Sequence, residues 1–187
     1  MIAPHGGGAT ALYASRPARG REETTCRGCG LVLPARPGPE HAFVGASAAC
    51  WERYGRLSRA MAFEHRSPSR MRRLIEDAYA VQHPGVRQRR SVQSVAIHLM
   101  GLCVLLERDG EQRRIAPVLG RTPPGRRLVL RWLEPPQPNG TLTIADALDG
   151  DIGDDLRSEL VETWASNVWD AWAEHHATVR GWLGSAA

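Results

Sequence analysis

Apolar positions recur at helical spacing in four long stretches of the chain. In AACWERYGRLSRAMAFEH, Cys50, Tyr54, Leu57 and Met61 fall on one face, which predicts a first helix that opens after a capping Ser47 and carries Cys50 in its first turn. Ser67-Pro68 repeats the start signal, because proline suits the first helical position. The second helix then runs through RMRRLIEDAYAVQH, with Met71, Leu74, Ile75, Ala78, Tyr79 and Gln82 on one side, until Pro84-Gly85 stops it. A third helix is expected from Ser91 to Asp109-Gly110; it is apolar nearly all round from Val95 to Leu106, the mark of a central, buried helix. The last and longest, Asp154 to Leu183, has a stripe of Leu160, Trp164, Val168, Trp172, His175, Val179 and Trp182.

The stretches between them read differently. Residues 1–24 lack periodicity and predict a flexible leader. Residues 25–50 are rich in Gly and Pro, which rules out a helix before Ser47 and suits a loop clamped by a metal. Residues 111–140 are proline-rich, and LVLRWL within them is a short strand or an extended strip lying on the helices. Thr143 to Asp146 is a capping pattern that opens a short helix. The expected fold is an all-α bundle of four to five helices, with an N-terminal metal-clamped loop and a short irregular or β excursion near 111–140. It forms one domain over 25–187, with a zinc-knuckle-like segment at 25–50.

Composition changes this picture little. The chain has 187 residues, 42% hydrophobic and 24% charged, which is ordinary for a globular domain and argues against disorder throughout. The net charge of +4 comes mostly from arginine and is too mild to name a partner. No signal peptide opens the chain, and Val95–Leu106 is shorter than the roughly 20 residues that span a bilayer. A cytoplasmic protein without a membrane segment is expected.

Four cysteines are too few for a disulfide scaffold, and their spacing points to metal instead. Cys26-Arg27-Gly28-Cys29-Gly30 places two sulfurs within reach of one ion, with small residues in the turn and Gly30 supplying a left-handed conformation. A redox CxxC would open a helix after a strand, whereas this one leads into a Gly/Pro loop. Cys50 is the expected third ligand, since a helix N-terminus favours a thiolate. The fourth is His83, at the end of the second helix, with His41 as the alternative. Zinc is the expected metal. Cys103, inside an apolar run, reads as a buried small hydrophobe. The H-x-E element of nucleobase deaminases is absent.

His98 is flanked by Val95, Ile97, Leu99 and Leu102, and His175 shares a face with Trp164, Val168 and Trp172. Two readings stand side by side. Either each is a core histidine with a hydrogen-bond partner such as Asp77, or His98, His175 and Tyr79 are acid/base groups of a polar pocket for a small molecule. No phosphate-binding loop, Ser-His-Asp spacing, HExxH or dinucleotide fingerprint occurs, so no reaction follows. An interaction module is the alternative function. It would use Arg72-Arg73, Arg89-Arg90, Arg113-Arg114 and Arg126-Arg127 with exposed tryptophans to bind a protein; nucleic acid is disfavoured, because no known motif accompanies the basic pairs.

The series C-x-x-C-G, then Cys50-Trp51 with Tyr54, then D-A-Y-A-V-Q-H-P at 77–84, is similar to a family of bacterial proteins of unknown function. The resemblance covers Cys26 to Leu106 and the WA-x-x-VW-x-AW-x-x-HH segment near the C-terminus. It implies that Cys26, Cys29, Cys50 and His83 form one constellation, with Tyr79 and Gln82 nearby. The family often carries a histidine early in the second helix, where this chain has Met71-Arg72-Arg73, so any role of that histidine does not transfer. The resemblance implies no reaction.

Overall fold

The computed structural model describes residues 22–39, 41–64, 68–108 and 129–185. Two short strands come first, β1 (Glu23–Thr25) and β2 (Val32–Pro34), paired antiparallel with Thr24 opposite Leu33. Six α-helices follow among the described residues: α1 (Ala48–Glu64), α2 (Pro68–Gln82), α3 (Arg89–Glu107), α4 (Ile144–Leu148), α5 (Asp154–Ala171) and α6 (His176–Ser185), with a 3₁₀ turn at Ala173–His175. The mainly helical architecture agrees with the apolar periodicity. The hairpin was not expected; it occupies the Gly/Pro-rich segment read as a loop. Of the 1–24 leader, residues 1–21 lie outside the described residues, as does 111–128 of the expected excursion. The described part of LVLRWL, 129–133, forms no strand.

α2 is the hub, packing against α1, α3 and α5. Its Leu74, Ile75, Ala78, Tyr79 and Val81 are all buried, as three-to-four-residue spacing requires for a helix with neighbours on most sides. α3 is long and apolar enough, by length and composition, to cross a membrane, but most of it is buried inside the protein against α2, α5 and α6. Its apolar surface is consumed by packing. It opens two residues before Ser91, whose side chain is buried rather than capping. α4 starts at the expected cap: Thr143 accepts from Ala145 N–H, and Asp146 accepts from Thr143 N–H.

The single long C-terminal helix expected over Asp154–Leu183 is two helices. The break is at Trp172, whose N–H bonds Trp169 O three residues back at 2.9 Å. Polar partners fix the corner. His176 Nε2 donates to Trp169 O at 2.9 Å while its ring stacks on the Trp169 indole, and Trp172 Nε1 donates to Asn139 Oδ1 at 2.9 Å. The turn lets α6 fold onto α3, clamped by Arg180 to Glu107 at 2.7 Å.

The proline-rich strip is stitched to the hub by side-chain amides. Gln82 Nε2 donates to the carbonyls of Asn139 and Leu142, and Gln82 Oε1 accepts from Trp164 Nε1 at 3.1 Å. Asn139 Nδ2 returns a bond to Val81 O at 3.0 Å. Gln82 and Asn139 are buried, and this network satisfies them where an irregular backbone would otherwise leave carbonyls orphaned. It also fixes the end of α2, one residue before His83.

Candidate metal centre

Three separate elements bring four ligand atoms to one point. The turn between β1 and β2 carries Cys26 and Cys29; it is closed by Gly30 N–H to Cys26 O at 2.9 Å and Cys26 N–H to Leu31 O at 2.8 Å. Gly30 adopts φ +76°, a left-handed conformation that costs a side-chain-bearing residue energy. Gly28 matters for space instead: a Cβ there would stand 2.3 Å from His83 Cδ2. The knuckle thus lies directly on the His83 ring.

α1 supplies Cys50 from its first turn. Ser47 caps the helix by accepting from Cys50 N–H at 3.3 Å, and its own N–H points at Cys26 Sγ at 3.4 Å. His83 comes from the residue just past α2. Its Nδ1 lies 2.7 Å from the Tyr79 carbonyl, which can only accept, so Nδ1 carries a proton and Nε2 is the nitrogen that faces the sulfurs.

The ligand atoms of Cys26, Cys29, Cys50 and His83 all lie within 4.8 Å of one another. Cys29 Sγ and Cys50 Sγ are 3.8 Å apart, and Cys50 Sγ to His83 Nε2 is 3.3 Å. Two thiolates bound at about 2.3 Å to a tetrahedral ion would stand about 3.8 Å apart. The cysteines are free thiols. The group has the spacing of a tetrahedral Cys₃His set that could hold a metal such as zinc.

Electrostatics point the same way. The Cys29 and Cys50 thiols, with His83, push Cys26 far below the ordinary thiol range against its burial. Cys50 goes far up, because its proton bridges to Cys26 and Cys29 and because it is buried. Burial disfavours the His83 imidazolium, but the Cys26 and Cys29 sulfurs outweigh it and raise His83 to about 9. Three sulfurs this close cannot all ionise unless positive charge sits among them. A divalent cation would supply it.

Tyr79 belongs to this centre. Its hydroxyl donates to Cys50 Sγ at 3.5 Å, its ring stacks on His83 at 4.1 Å, and burial followed by the Cys50 sulfur drives its pKa up. His41 stands outside the ligand group, edge-on to Phe43 and tilted against Trp51. His98 lies on the α2–α3 face with Nδ1 2.7 Å from Asp77 Oδ1, an oxygen also reached by Arg73. His175 sits in the 3₁₀ turn and bonds Glu134 O at 2.9 Å. Tyr79, His98 and His175 therefore have separate partners. Asp77 is fully buried, and desolvation raises its pKa against the pull of His98.

Trp164, Trp169, Trp172 and Trp182 are buried, as their stripe predicts, and Trp51 and Trp132 are half-buried, so no tryptophan is fully exposed for an interaction surface. Of the arginine pairs, Arg113-Arg114 and Arg126-Arg127 lie outside the described residues, and Arg73 turns inward to Glu76 and Asp77. Sequence reasoning missed Ser47 as a sulfur-bonding donor and Gly28 as the floor under His83. It also missed a cleft of about 360 Å³ beside the centre, lined by the knuckle, the 41–47 loop and Pro84–Val86. The only signal for the cleft was the Gly45 and Gly85 pair, far apart in the chain.

The chain belongs to a protein family of unknown function, DUF5946, whose model matches residues 24–173 and so includes all four ligands. No curated protein and no solved structure matches it.

Proposed function

We propose that this protein binds one zinc ion through Cys26, Cys29, Cys50 and His83, that the zinc is structural, and that it shapes the adjacent cleft for a small molecule. The observation that carries the reading is how little else ties the hairpin down. β1 and β2 have three residues each, and within them only Leu33 is buried. Such a hairpin is not stable alone. The ligand group joins it to α1 and to the end of α2, so metal binding and local folding are one event.

The geometry supports a structural ion over a catalytic one. All four ligands come from the chain, and Cys26, Cys50 and His83 are buried, which fits a closed tetrahedron with no position left for water. What the ion does is hold Gly28 against His83, so that Arg27-Gly28 and Pro84 stand as two walls of the cleft.

Hydrogen exchange before and after zinc chelation tests this. A structural zinc predicts rapid exchange across 22–47 on chelation, with α2, α3 and α5 still protected. A chain that keeps its hairpin protection without metal would contradict the structural role.

A further inference from the structure

We infer that the cleft beside the metal centre binds a small anion, a carboxylate or a phosphate ester, that carries a compact apolar body. This rests on the zinc reading above, because the knuckle forms one wall.

The cleft holds about 360 Å³, within the size range of small-molecule sites. Its floor is backbone brought unusually close. Gly45 N–H donates to His83 O at 3.0 Å, and a Cβ on Gly45 would lie 3.1 Å from Gly85 Cα. Gly85, at φ +70° and with a built Cβ 2.9 Å from Phe43 O, is the strict requirement, and Gly45 keeps the 41–47 loop close to it.

The charge of the lining is one-sided. Arg27 is exposed at the rim and, among the described residues, has no ion-pair partner and shares the lining with no carboxylate side chain. Its backbone lies between two metal ligands, which fixes where the guanidinium starts. His41 is held by ring contacts to Phe43 and Trp51 and makes no hydrogen bond among the described residues. An unpaired guanidinium beside the unpartnered His41 ring, with no acid among the described lining residues, favours an anion.

Part of the lining is apolar, beside the polar side chains of Thr24, Thr25 and Ser47. Phe43, Val44 and Pro84 face the space, and Val86 stands at its edge 70% exposed, a large hydrophobe with nothing covering it. A charged head at Arg27 and an apolar body toward Val86 would use both halves. A zinc ion with three thiolates carries a net charge of −1, which by itself would favour a cation. That charge is buried, however, and shared with Ser47 N–H and the Tyr79 hydroxyl, while Arg27 is the group on the cleft side.

The test titrates the zinc-loaded full chain with phenyl phosphate, benzoate and benzylamine, following the Gly28, Gly45 and Gly85 amides by NMR and measuring zinc in each sample. Saturable shifts with the anions and none with benzylamine are expected, and the tighter anion identifies the head group. Arg27→Gln should weaken binding by about tenfold or more with zinc retained, and Arg27→Lys should recover part of it. Benzylamine binding as tightly as the anions, no anion binding by zinc-loaded protein, or an Arg27→Gln variant that binds normally would overturn the proposal. Anion binding by a chain that never takes up zinc would overturn the metal reading and leave the cleft standing.

Discussion

His83 is held by Tyr79 twice over: the Tyr79 carbonyl accepts from both the backbone N–H of His83, at 3.1 Å, and its ring Nδ1–H, at 2.7 Å. One turn of helix thereby holds a proton on Nδ1 and sets the direction of Nε2 before any metal arrives. The Tyr79 hydroxyl then reaches round to Cys50 Sγ at 3.5 Å. A single residue orients one ligand and hydrogen-bonds another, as outer partners of metal sites commonly do.

Tyr79→Phe removes only the second of these contacts. The ring still stacks on His83 and the carbonyl is untouched, so the fold should persist while zinc affinity falls by about tenfold. Competition against a chromogenic chelator measures this. An unchanged affinity would mean that the hydroxyl does not support the thiolate.

Gly28 and Gly30 make opposite demands on a methyl group. Gly28→Ala would force a Cβ to within 2.3 Å of His83 Cδ2 and 2.8 Å of Gln82 O, so the ligand itself must move. Gly30→Ala meets nothing within 4 Å but must hold φ +76°. We expect Gly30→Ala to cost about 1–2 kcal/mol of stability with zinc retained. Gly28→Ala should cost about 1–3 kcal/mol and lose most of its zinc affinity as well. Denaturant unfolding with metal analysis on both variants separates the two, and equal zinc affinities would contradict the close approach.

Glu107 sets a pH dependence at the α3–α6 contact. It accepts from Arg180 at 2.7 Å and from Trp169 Nε1 at 3.1 Å, and Arg180, offsetting some burial, lowers its pKa to about 2 from an ordinary 4.5. A folded pKa below the unfolded one stabilises above the unfolded value and loses that contribution as pH falls through the folded one. Glu107→Gln should therefore cost about 1 kcal/mol at neutral pH, a modest figure because the pair is partly exposed. The gap to the wild type should close between 4.5 and about 2. Comparing both proteins under the same conditions cancels acid effects on the cysteines. A gap independent of pH would contradict the pairing.

The ligand set was legible because chemistry constrains spacing. Cys26 and Cys29 sit in a turn that glycine makes possible, Cys50 follows a helix start, and His83 follows a helix end. The first three helices were legible because each buries a face at a 3.6-residue period. The bend at Trp172 was not, since a 3₁₀ turn keeps the step from Trp172 to His175 that a continuous helix would also show. Strands of three residues are too short for alternation to appear, so the hairpin read as loop. The Gly45–Gly85 contact depends on two backbones meeting across the fold, and nothing local announces it.

The most direct test is the metal content of purified protein by mass spectrometry, wild type beside His83→Ala and His98→Ala. One zinc per chain is expected, lost with His83→Ala and kept with His98→Ala, because His98 pairs with Asp77 away from the cluster. A wild-type protein without metal, or a zinc ion indifferent to His83 and lost with His98, would contradict it.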